Sequence, residues 1–216
     1  MGAITIINLI IIKSMARYTG AKLRITRKLG YLPGLTCKNS KSKHRPGQHG
    51  AEKKKLTQYA IRLNEKQKLR YNYGLSETQL MNYIRKAKKI KGATGSILLQ
   101  LLEMRLDNVI FRLGMAPTIA AARQLVGHKH IIVNNLCIFI PSYQCKPGDI
   151  IIVKDTTASK QLVSRNLELR SLSNVPNNLD FDKKTLTTKV LGIIDREWIT
   201  LKLNELFVVE YYSRKI

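Results

Sequence analysis

Apolar and polar positions are patterned most regularly between Glu103 and Asp155, where helical and strand periodicities follow one another. Four apolar residues recur at helical spacing and form one stripe: Leu106, Val109, Ile110 and Leu113. Gly114 follows this stripe, and glycine ends helices because it takes the left-handed conformation without steric cost. The pattern predicts a short amphipathic helix over these residues.

A second helix and three short strands are predicted after the first helix. Thr118 suits the N-cap of a helix, and Gly127 marks its end. Three strand-like runs follow at 131–133, 136–140 and 150–153, and the dipeptide Asn134-Asn135 joins the first two. A Lys-Pro-Gly-Asp turn at 146–149 leads into the third run. Two helices on a small antiparallel sheet are therefore expected, which places the fold in the α+β class.

The stretch at 53–91 is typical of helices. A first helical run begins near Gln58 and is broken by Tyr73 and Gly74, and Ser76 and Glu77 then begin a second run. The inward positions of the second run are Leu80, Tyr83, Ile84 and Ala87. The pattern predicts a helical domain that precedes the mixed module.

The chain before and after these elements gives weaker signals. At 17–55 it is basic, and glycine and proline interrupt any periodicity, so we expect an extended arm that cannot build a core alone. After Asp155 we expect an irregular polar connection. The stretch at 181–203 mixes strand-like and turn-like pieces, with Trp198 expected to pack against the mixed module.

The charge of the chain narrows its possible partners. The formal net charge is +24 and the pI is near 10.2, so a polyanionic partner is expected, with nucleic acid ahead of an acidic membrane surface. Residues 16–102 carry 21 Lys/Arg and three acids, whereas residues 103–216 carry 16 Lys/Arg and 11 acids. The apolar run at 4–12 is shorter than the roughly 20 residues needed to span a bilayer. We therefore predict no membrane partner and a basic first half that anchors the protein.

The cysteines argue against a metal centre. Cys37, Cys137 and Cys145 contain no C-x-x-C pair, which favours reduced thiols over disulfides or a closed zinc site. Cys37, His44 and His49 could in principle supply three ligands, but their spacing is not that of a recognised site. We predict no metal and no cofactor, with RNA contact as the role of both histidines.

The candidate chemistry of the mixed module is phosphate binding. Its cationic side chains are Arg105, Arg112, Arg123, His128, Lys129 and His130. No nucleophile–base pair accompanies them. We therefore predict an exposed surface for phosphates and no catalytic residues.

Several ordered blocks resemble the small-subunit ribosomal protein S4 family. The blocks in the mixed module are RLDNV at 105–109, RLG at 112–114, ARQLV at 122–126 and HIIVN at 130–134. Further blocks are LPG at 32–34, RPGQHG at 45–50, EKQKLR at 65–70, KGATG at 91–95 and the closing segment at 203–214. Asn135 and Lys129 depart from the family, which usually has glycine at both positions. The resemblance covers residues 15–216.

The resemblance implies an organisation in four parts. Residues 1–14 are an N-terminal extension, 15–56 a basic extended arm, 57–102 plus 203–216 a discontinuous helical domain, and 103–202 the S4-type RNA-binding domain with its following strands. Residues 101–108, 140–143 and 208–214 look like plastid members of the family. The expected location is the plastid (chloroplast) ribosome, with the bacterial cytoplasm or the mitochondrion as alternatives.

The family also implies a function and an interface. The chain is expected to be a structural constituent of the small ribosomal subunit that binds the five-prime domain of its ribosomal RNA early in assembly, contacts the neighbouring protein S5 and contributes to translational accuracy. The expected RNA-binding residues are Arg17, Lys22, Arg24, Arg27, Arg45, Gln48, His49, Arg62, Lys66, Lys68, Arg70, Lys91, Arg105, Arg112, Arg123, His128 and His130.

Two alternatives use the same RNA-binding module. The letters RLD at 105–107 also occur in the active site of pseudouridine synthases. Here, however, they lie on an amphipathic helix with no large catalytic domain on either side, so Asp107 is expected to pair with a nearby arginine. An RNA chaperone would carry the module without the long helical domain. We predict that the chain is not an enzyme.

Overall fold

The computed structural model describes residues 18–42, 44–52, 55–169 and 175–213. The N-terminal extension at 1–14 and Arg17 lie outside these residues. The helices are α1 (Lys22–Leu29), α2 (Gln58–Asn72), α3 (Glu77–Lys89), α4 (Thr94–Glu103), α5 (Leu106–Arg112), α6 (Ile119–Gly127), α7 (Thr157–Leu169) and α8 (Glu205–Ser213). The strands are β1 (Ile131–Val133), β2 (Leu136–Cys137), β3 (Ile150–Val153), β4 (Leu179–Asp182) and β5 (Thr187–Val190), and a 3₁₀ turn spans Arg196–Trp198.

The sheet has five antiparallel strands in the order β2-β1-β3-β5-β4. Its first three strands were predicted, although β2 ends at Cys137 rather than at Ile140, since its only neighbour β1 is three residues long. The turn at Asn134-Asn135 has φ values of 49° and 65°, the left-handed conformation that two-residue hairpins require and asparagine tolerates. The α+β prediction is confirmed.

Local capping signals fix the helices that the sequence predicted. The Ser76 hydroxyl accepts from the Gln79 amide, and the Gln79 side chain accepts from the Ser76 amide, so a capping box begins α3. Thr118 caps α6 by accepting from the amide of Ala121. The helix α8 returns from the end of the chain and packs on α2. The predicted division into domains stays a prediction.

The basic N-terminal segment is less extended than predicted, because it contains α1 and contributes to the core. Four of its apolar side chains are buried: Ile25, Leu29, Leu32 and Leu35. Gly34 joins this segment to two helices, since its amide donates to Asn72 Oδ1 at 3.0 Å and its carbonyl accepts from the Ile119 amide. A Cβ at position 34 would lie 2.4 Å from the Asn72 carbonyl oxygen, so only glycine permits this approach.

The prediction of an irregular connection after Asp155 is wrong, because α7 occupies 157–169. Among the side chains of this helix that the structure describes, only Val163 and Ser159 are fully buried, so its apolar positions are too sparse for a helical period to be visible in the sequence. Within the described ranges, no helix is both long and apolar enough to cross a membrane.

Candidate nucleic-acid interface

Exposed cations are concentrated in the first half of the chain. Among the described residues between 18 and 102, the exposed cations are Arg24, Lys28, Lys38, Lys41, Arg45, Lys55, Arg85, Lys86, Lys88, Lys89 and Lys91. None of these forms an ion pair in the described part of the chain. The three acids of the same stretch, Glu52, Glu65 and Glu77, each have a cation or histidine partner within it. The positive charge of this surface is therefore left uncompensated, which suits a polyanion.

Arg27 has a structural role within this surface. Its guanidinium donates to the carbonyl of His44 at 2.9 Å, to Ser42 Oγ at 3.2 Å and to the carbonyl of Arg45 at 3.3 Å. These bonds hold Ser42, His44 and Arg45 against α1. Arg27 thus positions the Arg45 side chain near Arg24 and Lys28, and it was predicted only as an RNA contact.

The three arginines of the mixed module are buried, which corrects the prediction that they form an exposed phosphate surface, whereas His128 and Lys129 of the same module are exposed. Arg105 is 2% exposed and donates to both carboxylate oxygens of Asp107, at 3.0 and 2.8 Å. Arg123 donates to Asp107 Oδ2 at 2.8 Å and to the carbonyls of Tyr73 and Gly74 at the end of α2. Asp107 does pair with nearby arginines, as predicted. Burial disfavours the charged form of Arg105, but the Asp107 carboxylate outweighs it and raises the pKa of Arg105 above its ordinary value.

Arg112 belongs to a second buried cluster, centred on Glu103. The Glu103 carboxylate accepts from Arg112 Nε at 3.0 Å, from Asn108 Nδ2 at 2.6 Å and from the Tyr73 hydroxyl. Burial and the charge of Glu103 raise the pKa of Tyr73 well above its ordinary value, so the phenol stays protonated and donates. The remaining Arg112 donors reach the carbonyl of Trp198 at 2.7 Å and Thr200 Oγ1 at 3.0 Å. Arg112 therefore ties the C-terminal segment to the mixed module.

Lys66 is also withdrawn from the surface. The residue is 4% exposed, and its ammonium lies within 3.0 Å of both Glu77 carboxylate oxygens and over the Tyr211 ring. The Tyr212 hydroxyl donates to the same carboxylate at 2.6 Å. Although burial raises the pKa of Glu77, the hydrogen bonds from Tyr212 and Lys66 bring it below its ordinary value. This cluster fastens α8 to α2 and α3.

The other predicted residues divide into two groups. Side chains with intramolecular partners are Arg62 with Glu210, Lys68 with Glu65, Arg70 with Gln67, His49 with Glu52, and His130 with Ser159. Residues open to solvent are Gln48, Lys91 and His128, and Lys22 is partly exposed. The prediction that these residues contact RNA stays a prediction.

Sequence reasoning missed Glu103 as the centre of a polar cluster. This glutamate follows the apolar run at 97–102 and is itself buried. An acid within an apolar helical stretch indicates a buried partner, because an unpaired buried carboxylate is costly. That signal was available in the sequence. Across the described residues, no group of three or more His, Cys, Asp or Glu is placed to hold a metal ion.

The three thiols are predicted to differ in reactivity. Burial, with the charges of Asp149 and Asp107, raises the pKa of Cys145 to about 12, whereas Cys37 and Cys137 are exposed. Because the thiolate is the reactive species, only about one Cys145 in 10⁴ is ionised at pH 8. We expect two thiols to react rapidly with an aromatic disulfide reagent at pH 8 and the third only in denaturant. A doubly substituted C37S/C137S protein that still reacted rapidly would contradict this.

Comparisons with known proteins agree with one another. A family model described as the N-terminal domain of ribosomal proteins S4/S9 matches residues 17–103, and one described as the S4 domain matches residues 104–151. Small ribosomal subunit protein uS4c of Emiliania huxleyi is 74% identical over 202 residues, 94% of this chain and 100% of that protein. Protein uS4 of Picosynechococcus is 62% identical over 93% of this chain and 99% of its own length. Protein uS4c of Cyanophora paradoxa is 63% identical over 93% of this chain and 100% of its own length.

Proposed function

This chain belongs to the ribosomal protein S4 family, and we propose that it anchors to the five-prime domain of small-subunit ribosomal RNA through the exposed cations of residues 22–91. It is a structural constituent of the small ribosomal subunit and not an enzyme, and small-subunit ribosomal RNA and ribosomal proteins are its partners. Nothing in the comparisons favours the pseudouridine synthase or the chaperone alternative. The uncompensated charge of the first half is the observation that carries the proposal.

The buried arginines have a different role from the exposed cations. The buried N–H groups donate to carboxylates and backbone carbonyls in the case of Arg105, Arg112 and Arg123. These arginines therefore fix the geometry of the mixed module rather than bind phosphate. Phosphate contacts then come from side chains that are free to reach RNA. We assign the anchoring contacts to Arg24, Lys28 and Arg45. The mixed module, which the buried arginines hold rigid, is proposed to support assembly and decoding accuracy.

A triple substitution of Arg24, Lys28 and Arg45 by glutamine tests the anchoring proposal. Each phosphate contact steepens the dependence of log affinity on log salt by somewhat under one unit. The substituted protein should bind a five-prime-domain RNA fragment at least about tenfold more weakly, with a salt slope shallower by about two units. Affinities measured across a salt series test both the expected loss of affinity and the expected change in slope.

The matched control replaces Lys183, Lys184 and Lys189, which are exposed on and between β4 and β5, by glutamine. It changes the net charge equally, and we expect little change in slope. If both triple variants lose equal affinity and slope, binding follows net charge alone and the assignment to residues 22–91 is refuted. Circular dichroism of both proteins checks that the fold is retained.

The protein-facing side is proposed to lie in the C-terminal part of the chain. Residues 175–213 carry five Lys/Arg and six acids, close to neutral on a very basic protein. Large apolar side chains are exposed there, at Leu191, Ile193 and Leu206. A neutral surface with exposed apolar groups suits a protein better than RNA, and we propose S5 as the neighbour it contacts.

The proposed location is the plastid ribosome. Relatives named uS4c in Emiliania huxleyi and Cyanophora paradoxa support it. Proteins named uS4 are 58–62% identical, which leaves a bacterial ribosome as the alternative. Co-sedimentation of the native protein with small subunits of isolated plastids is the expected result.

A further inference from the structure

A cavity of about 480 Å³ lies among α1, the loop around Arg45 and α2. This volume falls within the range of about 300–1,000 Å³ that is usual for small-molecule sites. Its wall carries two aromatic rings, three cations and two amides: Tyr18, Tyr71, Arg24, Lys28, Arg45, Asn64 and Gln67. The cavity therefore combines an apolar surface, positive charge and neutral hydrogen-bonding groups.

The Tyr18 ring in the cavity wall remains partly exposed to solvent. Tyr18 packs against Tyr71 with ring centroids 5.4 Å apart and an interplanar angle of 75°. The Arg70 guanidinium lies over the Tyr71 ring at 5.1 Å, whereas Tyr18 remains 44% exposed. A Cβ at Gly20 would lie 2.6 Å from the Tyr18 hydroxyl oxygen, so glycine there leaves room for this ring position.

The polar groups of the cavity have donors and acceptors to spare. Arg24, Lys28 and Arg45 form no ion pair in the described part of the chain, and Arg27 holds the backbone that carries Arg45. Asn64 is partly buried without a side-chain hydrogen bond to the described residues. Gln67 has one long contact, accepting from Arg70 at 3.4 Å. The amides are thus available to read the edge of a planar ligand.

We propose that this cavity receives one unstacked nucleotide of small-subunit ribosomal RNA, with its base against Tyr18 and its phosphates held by the three cations. This inference rests on the proposed function and deepens it. The three cations alone would be sufficient to contact the phosphates of a double-stranded RNA helix. A base that is paired within such a helix, however, cannot reach the aromatic ring and the two amides inside the cavity. Bases of loops, bulges and junctions can be splayed out and stacked on aromatic side chains.

Three tyrosine variants of the full-length protein test the proposal with a five-prime-domain RNA fragment. Loss of one base stack corresponds to about a tenfold loss of affinity, so Tyr18→Ala should bind about tenfold more weakly. Its salt slope should be unchanged because no charge is removed. Tyr18→Phe keeps the ring and should bind within about twofold of the native protein. Tyr31→Ala is the matched control. Tyr31 is 72% exposed and lies just after α1, the helix that Tyr18 precedes, but it does not line the cavity.

Abasic substitution along the RNA then identifies the nucleotide. At one unpaired position, removal of the base should lower the affinity of the native protein for the RNA about tenfold. The same removal should not lower the affinity of the Tyr18→Ala protein any further. The proposal is overturned if Tyr18→Ala and Tyr31→Ala bind equally well, or if no abasic position depends on Tyr18. Failure of the native protein to prefer this RNA over an unrelated RNA of equal length would instead refute the proposed function.

Discussion

Replacement of Asp107 by asparagine is expected to lower the free energy of unfolding by about 3–5 kcal/mol. The carboxylate is 1% exposed and is the shared counter-charge of Arg105 and Arg123. Asparagine preserves the shape but leaves two buried guanidinium groups without a charged partner. Since a domain is typically stable by about 5–15 kcal/mol, a large part of its stability would be lost. Urea denaturation followed by circular dichroism measures the effect.

Asp180→Asn is the control for this substitution, because Asp180 is exposed on the edge strand β4. It makes the same chemical change and should alter stability by less than about 0.5 kcal/mol. If Asp107→Asn unfolds at the native urea concentration while RNA affinity falls, the arginines act on RNA after all. Their assignment to the core would then be withdrawn.

Arg112→Met is expected to loosen the C-terminal segment and to cost about 3–5 kcal/mol, because it leaves the buried Glu103 carboxylate without its cation. Methionine fills much of the same volume without charge. The substitution also removes the donors that hold the Trp198 carbonyl and the Thr200 hydroxyl. Trp198 is the only tryptophan, so its fluorescence should shift to longer wavelength in the folded variant as the ring gains solvent.

Arg165→Met provides the comparison, because Arg165 is exposed on α7. Its Trp198 emission and its urea midpoint should both match those of the native protein. An Arg112→Met protein with native emission and a loss below about 1 kcal/mol would show that the Glu103 cluster does not hold the C-terminal segment.

Features set by neighbouring residues were predictable from the sequence. Thr118 and Ser76 cap their helices, and the asparagine pair at 134–135 turns between β1 and β2. In each case the physical cause is a side chain or backbone preference acting within three or four residues. The same locality explains why the apolar stripe of α5 was visible in the sequence.

The long-range contacts of Arg112 and Arg123 depended on partners far along the chain and were not predictable. Arg123 bonds carbonyls 49 and 50 residues away, and Arg112 reaches a carbonyl 86 residues away. A sequence shows the charge of an arginine but not which distant carbonyl groups it will contact after folding. Composition therefore identified the class of partner correctly, whereas the burial of single arginines became visible only in the structure. Which residues contact RNA stays a prediction.

The N-terminal segment was underestimated for a related reason. Its apolar residues lie between cations, glycines and prolines, so no period is visible over a long window. They are buried because α2 and α6 provide surfaces for them, as the two backbone bonds of Gly34 illustrate. A segment that cannot form a core alone can still complete the core of a neighbour.

The position of α8 has a consequence for the order in which the protein is made. Its contacts with the first helical elements join residues 135–148 positions apart, through Tyr212 with Glu77, Asn204 with Glu65, and Glu210 with Arg62. During synthesis, which proceeds from the N-terminus, the face of α2 that α8 covers stays open until the last residues emerge. A chain that ends before α8 would therefore keep that face of α2 uncovered.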